Sequence, residues 1–423
     1  MHHFQYRGDH LMCEEVPIER IAEEVGTPFY LYSHATLTHH FRVFDQAFAD
    51  IPHLVCFAMK ANSNVATLKL FADLGSGADV VSGGELYRAL RAGILSSRIV
   101  FAGVGKTREE MGFALKSDIL MFNVESPQEL RLLNDVAGAM GMKARVALRI
   151  NPDVDPNTHP YIATGLKKSK FGIDIKRSAE LYRKALSLKN LEVIGVDCHI
   201  GSQLTSVGPF VDAVSRIREY LDRVLVGYLR KEGVDVRYLD LGGGLGIQYK
   251  DEEPPHPEEY AAALIQGLEG LAVTLILEPG RVMVGNAGIL VTEVLYLKET
   301  EEKRFVVVDG GMNDLIRPAL YGSYQAIRPV VERKAETIVA DVVGPICESG
   351  DFFAKDREIE KPQRGDLLAV MSAGAYGFTM SSNYNSHPRA PEVLVDGENF
   401  YVVRARESLE DLIKGEVIPE KLQ

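Results

Sequence analysis

Lys60 closes the apolar run Leu54-Val55-Cys56-Phe57-Ala58-Met59 and is followed at once by Ala61-Asn62. An ammonium at the inner end of a buried strand is costly to keep charged, and desolvation lowers its pKa. A lysine so placed is a candidate Schiff-base former; the plainer alternative is a long stem that carries its charge out to water. His199 follows the run 193–198 and reads either as a satisfied core histidine or as a flat ring able to stack on a planar group. Glu278 emerges from Leu275-Ile276-Leu277, where a carboxylate needs a cationic or proton-donating partner. Arg281 would serve in a structural ion pair, and a protonated pyridine nitrogen in a catalytic one.

Gly242, Gly243 and Gly244, ahead of Leu245-Gly246, follow a strand and offer bare N–H groups to a phosphate. They suit equally a tight turn with positive φ, and their spacing is not the GxGxxG of dinucleotide sites. Ser82-Gly83-Gly84, Gly103, Asn123 with Glu125, Asn151, Ser202 and Gly280 stand at the other apolar-run ends, while Asp79 reads as a strand-end cap outside the site. A Schiff-base lysine, a phosphate-sized glycine nest, a flat ring and a pyridinium partner converge on pyridoxal phosphate. No residue pattern calls for a metal.

Such residues meet only if the elements beneath them end on one rim. Apolar runs recur at 54–59, 78–81, 98–102, 118–124, 144–150, 193–198, 236–241 and 273–277. Near-continuous apolar strands suit a parallel sheet buried on both faces. Helical signals lie between them: Ser126-Pro127-Gln128-Glu129 carries a serine N-cap, a first-turn proline and a glutamate completing a capping box. Pro209 to Glu232 is amphipathic and stops at Gly233. Eight strands alternating with helices over about 225 residues is the size of a (β/α)8 TIM barrel, where chemistry collects at the strand carboxyl ends; an open doubly wound sheet is the competitor.

After residue 280 the texture becomes mainly antiparallel β. Residues 288–298, 305–308, 338–343 and 366–371 read as strands, and 393–403 as a hairpin around Asp396-Gly397. The strand-like Phe29-Tyr30-Leu31-Tyr32 fits best with that later region. The expected division is a barrel over 36–280 and a β domain made of 1–35 with 281–423. The long loops 151–172 and 250–257 are functional or mobile on this reading.

The chain has 423 residues, is 46% hydrophobic and 25% charged, and carries a net charge of −12. That balance fits a globular protein and argues against general affinity for nucleic acid or anionic membrane. Cys13, Cys56, Cys198 and Cys347 form no paired framework, as expected of reduced thiols in a cytoplasmic protein. Neither a signal core nor a membrane-length apolar stretch is present.

Over nearly its whole length the sequence resembles the diaminopimelate decarboxylases, pyridoxal 5′-phosphate enzymes that share a barrel-plus-β-domain fold with alanine racemase and the eukaryotic-type ornithine decarboxylases. The resemblance rests on Phe57-Ala58-Met59-Lys60-Ala61-Asn62, Asp79-Val80-Val81-Ser82-Gly83-Gly84-Glu85, His199-Ile200-Gly201-Ser202-Gln203, Gly242-Gly243-Gly244, Glu278-Pro279-Gly280-Arg281, Cys347-Glu348-Ser349-Gly350-Asp351 and Ala375-Tyr376-Gly377. It implies that Lys60 binds the cofactor covalently, that His199 stacks on its ring and that Glu278 faces the pyridine nitrogen. Ser202, Gly242, Gly243 and Gly244 would hold the phosphate with help from Tyr376, and Gly280 and Arg281 complete the pocket. Arg281, Arg317, Tyr321 and Tyr376 would bind substrate; the spacing of Arg317 and Tyr321 independently puts them on one helix face. Cys347 would enter from the partner subunit of a homodimer and protonate the α-carbon after CO2 leaves. Glu348, also from the partner, would bind the ammonium at the far, D-configured end. The expected reaction is decarboxylation of meso-2,6-diaminopimelate to L-lysine, the last step of lysine biosynthesis.

The nearest alternative is an ornithine, arginine or carboxynorspermidine decarboxylase of the same fold, which has no use for Arg281, Arg317 and Glu348 together. A racemase would carry arginine at the pyridine nitrogen, against Glu278. A non-catalytic pyridoxal-phosphate carrier would need no second domain, and a class I aldolase is what remains without the cofactor. Gln325 and His387 depart from the family pattern, which commonly has histidine and arginine there.

Overall fold

The structure, a computed structural model, describes residues 2–152, 170–222 and 234–422. It divides into two compact units, Thr38–Met283 and the pair of segments Met1–Leu37 and Val284–Gln423.

In the first unit eight parallel strands follow one another: β1 (His53–Ala58), β2 (Gly77–Val80), β3 (Ile99–Phe101), β4 (Met121–Val124), β5 (Ala144–Asn151), β6 (Leu191–Asp197), β7 (Tyr238–Asp240) and β8 (Thr274–Leu277). Each pairs with the next, and β8 returns to β1 with Leu275 opposite His53 and Leu277 opposite Val55. That last pairing closes the sheet and rules out the open doubly wound alternative. Leu54, Cys56, Val100, Met121, Ala147, Ile194 and Ile276 pack together as an apolar cluster. These are largely β-branched or compact residues at alternating positions, the filling a closed barrel demands. The two-residue strand Ile173–Asp174 adds to the end of β5.

Local capping sets where the outer helices start, and so where each strand end opens. Asn64, Ser82 and Ser126 each accept a hydrogen bond from the first turn of the helix that follows. The capping box expected at Ser126 is only half made. Ser126 accepts from the Glu129 N–H, but the Glu129 carboxylate turns to the Glu125 N–H (2.8 Å) and to the buried Lys106 ammonium (2.7 Å). A buried cation has the stronger claim on a carboxylate than an N-cap amide. A complete box forms instead at Thr107 with Glu110. The helix expected over 209–232 is observed as Gly208–Tyr220; residues 223–233, and 153–169 of the long loop, lie outside the described residues.

In the second unit a nine-stranded mixed sheet is built around Gly288–Glu299, whose neighbours are Phe29–Ser33, Arg304–Val308 and Leu367–Val370. Phe29–Ser33 pairs antiparallel with Gly288–Glu299 and parallel with Glu392–Asp396. The expected hairpin is present as Glu392–Asp396 against Asn399–Arg404, turning on Gly397 at φ +60. The N-terminal residues add a three-stranded sheet, Phe4–Arg7, His10–Cys13 and Val16–Pro17, that no apolar run announces.

Asp314, in the same unit, is buried and accepts from the Gly311 N–H at 3.1 Å. Burial, reinforced by Asp309 and Asp351, raises its carboxyl from 3.8 to about 7. A raised acid costs the folded state nothing below its unfolded pKa and its full penalty above the folded one. Asp314→Asn keeps the acceptor and removes the charge. Its free energy of unfolding is expected to exceed that of the parent near pH 8 by on the order of 2 kcal/mol, read as a higher melting temperature, with the curves converging near pH 4. Equal melting near pH 8 would contradict the buried-charge account.

Candidate active site

The barrel unit brings most of the sequence-selected groups to the carboxyl ends of its strands. Lys60 lies two residues past β1, and its Nζ donates to Asp79 Oδ2 on β2 at 2.5 Å. The parallel register places Ala58 opposite Asp79, so the two side chains project from adjacent strand ends. The Lys60 side chain is 40% exposed and that of Asp79 fully buried. Lys60 thus stands as a half-exposed, paired amine, and Asp79, read from the sequence as a strand-end cap, is its partner. Burial pushes the Asp79 carboxyl up, but the charge and hydrogen bond of Lys60, with His199 adding, outweigh it and leave Asp79 below its ordinary range.

His199 stands between two acids. Its Nδ1 meets Asp197 Oδ1 at 2.8 Å and its Nε2 meets Glu278 Oε2. Glu278 is 2% exposed, and its other oxygen, Oε1, is buried without a hydrogen-bond partner among the described residues. Burial first, then the neighbouring charge of Asp79, raises Glu278 well above the usual carboxylate range. Asp240 on β7 is raised likewise by burial and by Glu278 and Asp197. It accepts from Asn123 Nδ2 on β4 and from the Gly242 N–H, each at 2.9 Å. The Asn123 bond spans strands that are not neighbours and therefore crosses the barrel interior.

Arg281 was a candidate partner for Glu278 in the sequence. In the structure its guanidinium donates to the hydroxyls of Tyr249 (2.7 Å) and Ser202 (3.1 Å), and Glu278 turns to His199. Tyr249 carries no signal in the sequence and lies just ahead of the 250–257 loop. The glycines are held by close approach. A Cβ on Gly242, which has φ +66, would lie 2.3 Å from the His199 ring, and one on Gly243 would lie 2.1 Å from the Glu278 carbonyl. A Cβ on Gly280 would crowd Ala58 and Ala61, on either side of Lys60, at 3.1 and 3.2 Å. Behind this rim Glu125 gathers Arg149 Nη1 and the N–H groups of Gly103 and Gly172, each at 3.0 Å.

The other unit holds two groups of its own. Arg317 and Tyr321 open and close the short helix Arg317–Tyr321, and the Arg317 guanidinium lies 5.5 Å from the Tyr321 ring centre and 6.0 Å from that of Tyr376. Tyr376 has φ +56, a conformation that a bulky residue adopts only under constraint. Cys347 and Glu348 are exposed and make separate contacts: the Cys347 N–H donates to Asn385 Oδ1 (2.7 Å), and Glu348 Oε2 accepts from Tyr384 (3.2 Å).

Comparison with known proteins places this geometry. The model of the pyridoxal binding domain of pyridoxal-dependent decarboxylases matches residues 34–285. The chain is 54% identical over 423 residues to a diaminopimelate decarboxylase of Vibrio cholerae, covering 99% of this chain and 100% of that one. It is 54% identical over 413 residues to that of Pseudomonas aeruginosa, covering 98% of each. Among solved structures it is similar to Helicobacter pylori diaminopimelate decarboxylase complexed with L-lysine, with TM-score 0.90 and 44% identity over 94% of this chain and 98% of that chain. It is also similar to the M. jannaschii enzyme in co-complex with L-lysine, with TM-score 0.93 and 39% identity over 99% of each.

Proposed function

From the premise that the chain belongs to the diaminopimelate decarboxylases, we propose how its own side chains divide the work of that reaction. The enzyme releases CO2 from diaminopimelate to give L-lysine, with pyridoxal 5′-phosphate as cofactor. The observation that carries the division of roles is the buried Glu278 Oε1, close to the Lys60–Asp79 pair and without a hydrogen-bond donor among the described residues. A ring N–H is the donor that such an oxygen fits. When bound, the cofactor supplies the electron sink for the pair released as the carbon–carboxylate bond breaks.

Lys60 holds the cofactor through its amine, and Asp79 fixes where that amine points when it is free. His199 supplies the flat face, oriented through Asp197. Gly242, Gly243, Gly244, Ser202, Gly280 and Arg281 form the cofactor cradle of the barrel unit. In the other unit the group of Arg317, Tyr321 and Tyr376 fits the substrate carboxylate that does not react. An arginine and a tyrosine stacked on one short helix present a fixed fork and a hydroxyl to such a group.

Two such chains form a homodimer in this reading, each supplying Cys347 and Glu348 to its partner's site. Both side chains are exposed in the isolated chain, as groups reaching into a second subunit must be. Cys347 delivers the proton to the carbon that loses CO2. The product corrects one expectation. L-lysine retains an L centre, so the far ammonium held by Glu348 is at the L end and the lost carboxylate comes from the D end. Four free thiols, three of them buried, support a reducing cytoplasm as the compartment, and no helix among the described residues is long and apolar enough to cross a membrane.

The test is CO2 release from meso-diaminopimelate against L-ornithine, L-lysine and L-arginine. A preference of at least about a hundredfold for the dicarboxylate is expected, because the others bring no second carboxylate to Arg317. Comparable turnover of ornithine would sink the substrate assignment.

A further inference from the structure

We propose that Tyr384 and Asn385 are positioning residues that set the register in which Cys347 and Glu348 are presented; this rests on the roles given to those two residues above. The turn that carries them is costly to form. Asn385 has φ 54 and Ser386 φ 58, two successive side-chain-bearing residues in the left-handed region. Strain of that kind persists only where surrounding contacts fix it, and it gathers at functional positions. Here the contacts are specific. Asn385 Oδ1 accepts the Cys347 N–H at 2.7 Å, and Tyr384 donates to Glu348 Oε2 at 3.2 Å.

The strained turn is itself anchored away from the pair. Asn383 Nδ2 donates to Glu407 (2.7 Å) and to the His387 carbonyl (3.1 Å), and the Arg389 N–H donates to the same Glu407 oxygen at 2.9 Å. On the other flank, Asp351 accepts from the Ile346 N–H (2.6 Å) and from the Met312 N–H (2.7 Å). The Cys347–Glu348 segment is therefore held from both sides while its two side chains stay exposed. Asparagine meets both demands at 385: it tolerates the left-handed backbone and its carbonyl reaches the amide. The hydrogen bond to Glu348 also raises the Tyr384 hydroxyl above its ordinary value, which keeps it a donor through the neutral range.

The two contacts act on different constants. Tyr384 orients the group that binds the far ammonium, and Asn385 orients the backbone that carries the proton donor. In the holoenzyme with meso-diaminopimelate, Tyr384→Phe is expected to raise KM roughly threefold to tenfold with kcat within about twofold. Asn385→Gly keeps the left-handed path open and deletes only the acceptor; kcat is expected to fall by a similar factor with KM little changed. Asn385→Asp keeps the acceptor and is expected to restore kcat. Cys347→Ala and Glu348→Gln serve as references. If both references are impaired while Tyr384→Phe and Asn385→Gly match the parent, the proposal is overturned and the roles of Cys347 and Glu348 stand. If the references are unimpaired, those roles fall and the proposal with them. A loss in Asn385→Gly that Asn385→Asp does not restore leaves the turn a merely structural role and also overturns it.

Discussion

Replacing Lys60 with alanine is expected to lower kcat/KM by at least about a thousandfold and to remove the visible absorbance of the cofactor-loaded protein. In the proposed division of roles the amine is the group through which the cofactor is held, and among the described residues the buried Lys106 is already committed to Glu129 and the carbonyls of Gly103 and Asn123. The substitution has a second consequence. Asp79 is fully buried and lies below its ordinary range because Lys60, with His199 adding, outweighs the effect of burial. Without the cation that buried carboxylate loses its ion-pair partner. The expected cost in stability is about 1–2 kcal/mol, well under that of a fully buried pair because Lys60 is 40% exposed. The double variant Lys60→Ala with Asp79→Asn should recover the stability and none of the activity. Thermal melting beside CO2 release therefore separates the chemical loss from the structural one. Turnover retained in Lys60→Ala would refute the assignment of the lysine.

The barrel was legible because buried parallel strands are apolar on both faces, so eight runs could be found without knowing their partners. The groups past their ends were legible for the same reason: a lysine, a histidine and a glutamate stand out against apolar flanks. What escaped was pairing across strands. Asp79 reads as a cap because nothing in its own segment reveals that Lys60 stands on the adjacent strand. A signal was nonetheless present. Asp79, Asp197 and Asp240 each sit near the carboxyl end of an otherwise apolar run, and three buried aspartates on one rim are too costly to be incidental. The N-terminal strands Phe4–Arg7 and Val16–Pro17 escaped for the opposite reason, since short mixed segments lack a period. Glu129 was read as a local cap because capping is a short-range pattern, whereas its partner Lys106 lies 23 residues away in sequence.

Glu278 binds these threads together, because it should affect activity and stability in opposite directions. Asp79, Asp197, Asp240 and Glu278 crowd one rim beside Lys60 and His199. Burial lifts Glu278 and Asp240 above the usual carboxylate range, whereas Lys60 holds Asp79 below it. Glu278→Gln preserves the shape and an oxygen for His199 but removes the charge that would keep a pyridine nitrogen protonated. In the loaded enzyme kcat is expected to fall on the order of a hundredfold to a thousandfold, with a smaller change in KM, as when a preorganised electrostatic partner is lost. In the cofactor-stripped protein the sign reverses. A raised acid contributes its penalty once pH exceeds its unfolded value, here 4.5, and that penalty grows through the neutral range. The glutamine variant should therefore melt above the parent near pH 8 and converge with it at acidic pH. A residue kept at a cost to the fold and needed for turnover is what a stability–activity trade-off predicts. Should the variant keep its kcat, or the stripped protein melt lower near pH 8, then Glu278 is a structural partner of His199 and the acid facing the ring must be sought elsewhere.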